Sequence, residues 1–509
     1  MHSMPDKIEN LPASKQRRPH PGSHTRFLLA AGAVLVLAFS MRVWNLGEAS
    51  LWADEAETAK WANTSFEDFL INRALLRGIN QVPLHIASLH LFPTGNESLL
   101  RFPSVAASLL AIAAFMRLIQ RIYADRSLAL VAGLVIATNP LHVWLSRSAR
   151  PYAYLFACAV FASFYFVLLI QGKRSRTVWA GFVVSSLLTY LTHYFALFLP
   201  MAQYIVLGVY FKRLRRLLRP WMLAQVAGGS GLLSLWIAQI LFGSPGAMGM
   251  GWVPEPALAD VPLTVANLLA GYTTESASFL LFGVASAAIG LGLGTWHVLR
   301  THQLVGAFWL VLMLTPPLTV FLFSKLIDPL YVDRYFFTAQ IGTLALVLAG
   351  WWQIARRPWR YTLAAILIAS SFLAVQITIL SGTQEREDWR GVAEYIVSHR
   401  QPGDGVVLDH PYYQTALDYY LPAGTAPLYF LTEYDNRYDL SDFERVWVIY
   451  RNPNENIHCQ GLMPEFDPYA PAQNPTSMWL VRRQDQILQR ADFNGLSVLL
   501  VNVKEQPNS

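Results

Sequence analysis

The chain has 509 residues, of which 54% are hydrophobic and only 14% are charged, and its formal net charge is +6. An ordinary soluble domain carries roughly a quarter of charged residues, so this composition excludes a single soluble globule, and its hydrophobicity excludes an intrinsically disordered chain. The two cysteines exclude a disulfide scaffold and a cysteine-rich metal site. A polytopic α-helical membrane protein remains.

Long runs without Asp, Glu, Lys or Arg predict the membrane-spanning helices, because a helix needs about 20 apolar residues to cross a bilayer. Two runs, 177–211 and 220–254, are each 35 residues long, and the first is expected to hold two short spans that meet near His193. The sequence predicts about eleven spans, near 27–46, 100–122, 127–145, 153–171, 177–192, 194–211, 221–243, 276–299, 303–325, 336–355 and 361–381.

The distribution of basic residues predicts the orientation of these spans. Lys and Arg prefer cytoplasmic loops, so the basic segment 1–26 is placed inside, ahead of a transmembrane domain over 27–381. A first periplasmic loop covers 47–99, and its apolar piece 83–93 is too short to span, which favours an interfacial or re-entrant helix. This topology, with contacts to membrane lipids, explains the net charge, so no nucleic-acid partner is expected.

Charged residues return after about residue 382, and the segment 382–509 is predicted to be a small α/β domain on the periplasmic side. Two stretches are typical of helices, WRGVAEYIVSH and YYQTALDYY. Four short apolar runs are typical of strands, GVVLD, PLYFL, RVWVIY and SVLLVNV, with turn signals between them. Neither a GxGxxG nor a P-loop pattern occurs in this domain.

The first outer loop contains two adjacent carboxylates, Asp54 and Glu55, at the start of a helical pattern from Ala53 to Ala62. One interpretation is a solvated acidic helix start, where Asp is favoured. The other is a catalytic pair, in which one carboxylate acts as general base for an acceptor and the other holds a partner residue or a cation. The residues alone leave both interpretations open.

Further polar residues are expected at the same face of the membrane. Arg147 and Arg150 end the second outer loop, and arginine either reaches the interface from a span or grips a phosphate with its guanidinium fork. Candidate substrate-binding residues in this and the other outer loops are Arg147, Arg150, Tyr152, His193, Tyr194, Lys325, Arg334, Tyr335 and His85. Together these cations and the two acids suit an anionic, membrane-embedded substrate.

Seven motifs in this order resemble the bacterial GT-C glycosyltransferases, the group related to protein O-mannosyltransferases and to the aminoarabinose and galacturonate transferases of lipopolysaccharide. They are WADEA, QVPLHIASLHLF, ESLLRFPSVAA, NPLHVWLSRSARPYAYLF, THYFALFLP, DRYFF and EREDWRGVAEYI. The resemblance implies a GT-C fold in the bacterial cytoplasmic membrane, with the N-terminus inside and the C-terminal domain outside. It also implies transfer of a hexose or pentose from a polyprenyl-phosphate-linked donor to an envelope acceptor, which is a lipid, a glycan or a protein.

The resemblance also assigns roles to single residues. Asp54 matches the acidic residue that such enzymes use as base, and Glu55 matches its neighbour. Arg150 and Tyr152 match residues that line the donor site, and the pair Arg334 and Tyr335 matches an element near the donor phosphate. His85 is a candidate phosphate contact from the short apolar helix. No cofactor is expected, and a divalent cation at Asp54 and Glu55 is the less favoured alternative.

Two other classes of membrane protein are compatible with this composition. A flippase or transporter of lipid-linked sugars usually places ionisable groups near the middle of the bilayer, whereas here they cluster at the ends of the spans. A polysaccharide polymerase or ligase is expected to carry its key residues in a large late loop, whereas this chain has its acids in the first loop. The sequence therefore favours a glycosyltransferase.

Overall fold

The computed structural model describes residues 21–75, 82–242, 253–271, 279–380, 387–409, 411–422, 428–430, 440, 443–451, 479–480 and 483–503. Most of the predicted basic N-terminus, residues 1–20, lies outside these residues. The helices up to the middle of the chain are α1 Pro21–Val43, α2 Ala53–Ala62, α3 Phe66–Asp68, α4 Leu84–Leu89, α5 Glu97–Tyr123, α6 Arg126–Thr138, α7 Pro140–Ser146, α8 Tyr152–Ile170, α9 Arg176–Tyr190, α10 Phe198–Val209 and α11 Phe211–Phe242.

The later helices are α12 Asp260–Ala270, α13 Leu280–Thr301, α14 Leu304–Leu326, α15 Phe337–Gln353, α16 Arg357–Ala374, α17 Trp389–His399 and α18 Gln414–Tyr420. Short 3₁₀ helices cover Tyr194–Leu197, Asp333–Phe336 and Pro411–Tyr413, and π-helical turns cover Phe69–Leu75 and Val375–Leu380. The strands are β1 Gly405–Leu408, β2 Leu428–Phe430, β3 Arg445–Arg451, β4 Ile487–Phe493 and β5 Leu496–Asn502.

The described residues form a multi-pass bundle with eight helices long and apolar enough to cross a membrane, or nine if the bent pair α6 and α7 counts as one span. The predicted fold class, a polytopic helical membrane protein with a small C-terminal α/β domain, is confirmed. Each of the eleven predicted spans falls on a helix or on the bent pair. Two of these helices are short for a crossing, α9 with 15 residues and the segment Tyr194–Val209. The predicted interfacial piece 83–93 contains the six-residue helix α4, which is too short to cross.

The third predicted span is broken, and its two halves meet at an angle of 62°. Asn139 precedes Pro140, and a residue before proline is disfavoured in the helical region, so Asn139 is extended and caps α7 by accepting from the N–H of His142 at 2.9 Å. The break frees carbonyls at the end of α6, and the buried Arg42 guanidinium donates to Ala137 O at 3.0 Å. A cation inside the bundle is thus held by a helix C-terminus.

Helix α15 lies at the centre of the bundle and packs closely on α13 through glycines. A Cβ atom on Gly350 would lie 1.8 Å from the carbonyl oxygen of Gly290, and one on Gly294 would lie 2.2 Å from Leu346 O. Such small residues allow two backbones to approach where lipid gives no hydrophobic driving force. This packing holds the C-terminal half of α15, the end opposite to Asp333–Phe336.

The C-terminal segment forms a mixed five-stranded sheet in the order β2-β1-β3-β5-β4, with β2, β1 and β3 parallel and β5 antiparallel to both neighbours. Both predicted helices and all four predicted strands are present. The sequence missed β4, because this edge strand is largely exposed and lacks an apolar pattern. One face of the sheet, with α17 and α18, shares a hydrophobic cluster with α2 that includes Leu51, Ala56, Trp389 and Leu417. The α/β domain therefore rests directly on the first loop.

Candidate active site

Four short segments meet at one end of the bundle, which we call the α2 end. They are the start of α2, the loop between α7 and α8, the turn before Tyr194, and the 3₁₀ helix Asp333–Phe336. Each follows or precedes a span that runs from the opposite end, where the basic clusters such as Arg213 and Arg356 lie. The predicted residues Asp54, Arg150, His193 and Arg334 are thereby brought together although they are far apart in sequence.

Glu55 is fully buried and acts as a structural anchor. Its carboxylate accepts from Arg101 Nε at 3.1 Å, from Arg101 Nη2 at 2.7 Å and from the backbone N–H of Ala149 at 2.7 Å. Arg101 also donates to the carbonyl oxygens of Leu46, Ala49 and Ser50 at 2.8–3.0 Å. Of the two interpretations of the acidic pair, the geometry gives Glu55 the role of holding a partner residue.

Asp54 has the opposite environment and faces the open side of the site. Its side chain is 17% exposed, and Oδ2 lies 3.2 Å from Nη2 of Arg150. Oδ1 accepts a hydrogen bond from the hydroxyl of Tyr412, which belongs to the C-terminal domain. The Asp54 carbonyl also accepts from Arg150 Nη1 at 3.2 Å, so α2 and the second loop are joined at this point.

Two guanidinium groups give the site a positive potential. Burial lowers the pKa of Arg150, but the Asp54 carboxylate together with Tyr152 and Tyr412 raises it by more, so that this pKa lies above its ordinary value. Arg334 is buried and lies over two aromatic rings, at 5.7 Å from the centroid of Trp52 and 5.5 Å from that of Tyr335. Since Trp52 directly precedes α2, Arg334 flanks the same helix start as Asp54.

A cavity opens beside Arg150. Its lining residues are Thr58, Val82, His85, Ile86, Arg150, Pro151, Thr192, His193 and Tyr194. Within the described part of the chain, two buried nitrogens of this lining have no hydrogen-bond partner, Nε of Arg150 and Nε2 of His85. A buried donor without an acceptor is costly, so an anion with several oxygens suits this cavity.

Aromatic rings surround His193. Its ring lies 5.7 Å from Tyr152 and from Tyr335 and 5.3 Å from Phe195, centroid to centroid, and its Nδ1 accepts from the N–H of Phe195 at 3.2 Å. Burial and the charges of Arg150 and Arg334 lower the pKa of His193 to about 3. The imidazole is therefore neutral at pH 7, and the two tyrosines predicted for the site act as its packing partners.

The pKa of His85 gives a pH prediction. Burial lowers this pKa to about 3, with Arg150 acting in the same direction and Glu55 against it. In the unfolded chain the pKa of His85 is near 6.5, so between about pH 6.5 and pH 3 the unfolded state binds a proton that the folded state does not bind. The free energy of unfolding therefore decreases as the pH falls through this range. We expect a loss of about 2 kcal/mol between pH 7 and pH 5 from His85 alone.

Thermal unfolding of detergent-purified protein at pH 7 and pH 5 measures this loss. The variant His85→Gln is expected to be less pH-dependent than the wild type by that amount. The exposed His399→Gln serves as control and is expected to follow the wild type. Parallel pH profiles for the wild type and His85→Gln would contradict the prediction.

Three predicted substrate ligands have other partners. Arg147 donates to carbonyls at the C-terminal end of α1, including those of Arg42 at 3.0 Å and Trp44 at 2.6 Å, so it caps that helix. Lys325 forms an exposed ion pair with Glu255 at 2.7 Å. Tyr194 lines the cavity with its ring stacked on Trp236 at 6.0 Å. In this structure Arg147 and Lys325 thus have partners away from the cavity, and their role as phosphate ligands stays a prediction.

Sequence reasoning missed Arg101 and Tyr412. Arg101 is a single charge at the start of an apolar span, and ionisable residues in spans usually have a specific partner, so this signal was available. Tyr412 carries no such signal, because it contacts Asp54 across 358 positions of sequence. Only the docking of the C-terminal domain on α2 brings that hydroxyl to the site.

Solved structures share this architecture. Crystal structures of ArnT from Cupriavidus metallidurans, in the apo state and bound to undecaprenyl phosphate, match with a TM-score of 0.58 at 13% identity, over 94% of this chain and 98% of ArnT. The oligosaccharyltransferase AglB from Archaeoglobus fulgidus, in complex with an inhibitory peptide and a dolichol-phosphate, matches with a TM-score of 0.50 at 12% identity, over 86% of this chain and 70% of AglB. No family model matches the chain, and no curated protein matches it significantly. Both neighbours are GT-C glycosyltransferases, and this chain has the GT-C fold.

An Archaeoglobus fulgidus oligosaccharyltransferase has also been solved in complex with Zn and sulfate, which raises the question of a metal site. In the described residues, no three His, Cys, Asp or Glu side chains are grouped to hold a metal ion. The Glu55 carboxylate is saturated by Arg101 and Ala149, and Asp54 faces the Arg150 cation. These two acids do not fit a divalent cation.

Proposed function

We propose that the protein is an inverting glycosyltransferase that moves a sugar from a polyprenyl-phosphate-linked donor to an acceptor at the outer face of the bacterial cytoplasmic membrane. One observation carries the proposal: in a GT-C fold, Asp54 lies 3.2 Å from Arg150. This pair borders a cavity in which Nε of Arg150 and Nε2 of His85 are buried without a hydrogen-bond partner among the described residues. A base next to a phosphate-binding cation is what such a transfer requires.

The cavity is the proposed site of the donor phosphate. Arg150 presents a guanidinium fork, which matches phosphate oxygens, and Arg334 adds a second positive charge on the other side of α2. His85 and His193, both neutral at pH 7, contribute ring nitrogens without adding charge. The undecaprenyl phosphate bound to ArnT and the dolichol-phosphate bound to AglB support a lipid phosphate as the ligand of this chain.

The proposed reaction is a single displacement. The acceptor hydroxyl gives its proton to Asp54 Oδ1 while its oxygen forms a bond to the anomeric carbon of the sugar. The bond between that carbon and the phosphate oxygen breaks, and polyprenyl phosphate leaves with the electron pair. Arg150 and Arg334 stabilise the negative charge that develops on the phosphate, so no general acid is required. Attack opposite the leaving group inverts the anomeric centre.

The proposed topology places the α2 end outside. The basic clusters lie at the opposite end of the bundle, where the positive-inside rule puts the cytoplasm. The chain then divides into a cytoplasmic segment 1–26, a transmembrane domain 27–381 and a periplasmic domain 382–509. Membrane lipids surround the exposed apolar side chains of the spans, such as Leu223, Ile240 and Phe282.

Transfer from a donor panel tests the function. Membranes with the overexpressed chain would receive radiolabelled undecaprenyl-phosphate-linked aminoarabinose, galacturonate, mannose and glucose. We expect one donor to label a membrane or envelope acceptor above the level of membranes from cells with an empty vector. An absence of transfer from every donor, together with movement of labelled sugar-lipid across sealed vesicles, would replace the proposal by a flippase.

A further inference from the structure

The two carboxylate oxygens of Asp54, the candidate base, have different neighbours: one faces the cavity and the other faces the C-terminal domain. Oδ2 of Asp54 is engaged by Arg150 at 3.2 Å, so Oδ1 is the oxygen that remains to take a proton. That oxygen accepts a hydrogen bond from Tyr412. A hydroxyl on Oδ1 stands where the hydroxyl of a reacting acceptor has to stand before it loses its proton.

The residues on either side of Tyr412 in the chain are held firmly in place. The neighbouring Tyr413 ring stacks on the buried Trp389 at 5.6 Å, and the hydroxyl of Tyr420 accepts from the N–H of Leu51 at 2.8 Å. Tyr420 also donates to Glu97 at 3.0 Å, next to the ion pair of Glu97 with Arg390. The C-terminal domain is therefore fixed on the first loop by contacts that do not involve Tyr412.

Tyr412 itself is 48% exposed, whereas Trp389, on which its neighbour Tyr413 stacks, is fully buried. A rotation of this ring into solvent breaks its bond to Asp54 and its edge contact with the Tyr413 ring at 5.7 Å, while Tyr413 stays stacked on Trp389. Rotamer changes of exposed side chains are fast. Burial of the hydroxyl and the nearby Asp54 charge hold the pKa of Tyr412 well above its usual range. The phenol thus stays protonated and donates, as an alcohol would.

We propose that the Tyr412 hydroxyl occupies the acceptor subsite, so that the acceptor enters between α2 and the turn Pro411–Tyr413 and displaces this side chain from Asp54. The inference rests on the proposed function. The acceptor class is an alcohol, because Arg150 and Arg334 lie close to this position and disfavour a protonated amine. In the absence of acceptor, the tyrosine keeps water from Oδ1 and thereby limits loss of the donor by hydrolysis.

The variant Tyr412→Phe tests the inference because it keeps the ring and removes the hydroxyl. Purified full-length protein would be given the undecaprenyl-phosphate-linked sugar that the wild type uses, first without acceptor and then with increasing amounts of a lipid extract of the same envelope. We expect release of free sugar without acceptor to rise about tenfold, as loss of one hydrogen bond to a charged group allows. The extract concentration that gives half-maximal transfer is expected to fall.

A matched control is Tyr419→Phe, which removes a hydroxyl from α18 in the same domain, where the ring lies 4.9 Å from Tyr420. It is expected to leave hydrolysis and half-saturation as in the wild type. Tyr412→Leu is a second variant that also removes the hydroxyl, and thermal unfolding checks that all variants fold.

The outcomes separate the inference from the proposed function. Unchanged hydrolysis and half-saturation in Tyr412→Phe, with an active wild type, would overturn the inference alone. A lower maximal transfer rate with unchanged hydrolysis would also overturn it, since Tyr412 would then assist the reaction instead of blocking the subsite. A wild type that transfers no sugar would overturn the proposed function and the inference with it.

Discussion

Replacement of Asp54 by Asn is expected to lower sugar transfer by about 10²–10⁴-fold, the range for loss of a general base. The amide has the size of the carboxylate, and its one oxygen can still face Arg150 while its NH2 group takes the place of Oδ1 beside Tyr412. It cannot take the proton of the acceptor. Because the phosphate lies on the Arg150 side, binding of the donor should persist. Transfer rates at matched protein levels and binding of undecaprenyl phosphate measure the two effects separately.

A suitable control for this substitution is Asp68→Asn, which makes the same chemical change at an exposed position of the first loop. It is expected to retain the wild-type rate. Full activity in Asp54→Asn would move the base to another residue, and His193 is then the next candidate because it lines the same cavity. Glu55 is a poor substitute, since Arg101 and Ala149 occupy both of its oxygens.

Replacement of Glu55 by Ala is expected to lower the free energy of unfolding by about 3–5 kcal/mol, the usual cost of removing one partner of a buried ion pair. The Arg101 guanidinium, 1% exposed, would remain in the interior without a counter-charge. The same change releases the N–H of Ala149, directly before Arg150. Activity is therefore expected to fall as well, because Arg150 is no longer held in place, although no catalytic group is removed.

The exposed pair of Lys325 and Glu255 provides the contrast, because surface ion pairs contribute about 0–1 kcal/mol. Glu255→Gln should shift thermal unfolding little, whereas Glu55→Ala should shift it strongly. In a double-mutant cycle, Glu55→Gln and Arg101→Gln together should cost much less than the sum of the two single changes. Additive costs would show that the two side chains act independently and would contradict the anchoring role.

The periodic and apolar parts of the fold followed from the sequence. Helix α2 has the bounds that its pattern predicts, Ala53–Ala62, and the strands β1, β3 and β5 coincide with apolar runs. These features depend on residues that are neighbours in the chain, so local composition determines them. The two short spans expected in the run 177–211 are also present, as α9 and the segment Tyr194–Val209.

The different roles of the two adjacent acids depended on tertiary structure. Asp54 and Glu55 are equivalent in sequence terms, yet Glu55 meets Arg101 and Ala149, which lie 46 and 94 positions away. Which carboxylate is buried is decided by the crossing of α5 and the second loop behind α2, and no local pattern encodes that crossing.

The sequence by itself determined a membrane bundle, a small C-terminal α/β unit and the residue types of the site. Only the tertiary structure decided that Asp54 faces Arg150, that Lys325 pairs elsewhere and that Tyr412 covers the base. The physical reason is that the tendency of a segment to be buried depends on the hydrophobicity of adjacent residues, which the sequence shows directly. Ion pairs and hydrogen bonds instead require two groups within about 3 Å of each other. Groups on distant segments meet that condition only after the helices have packed.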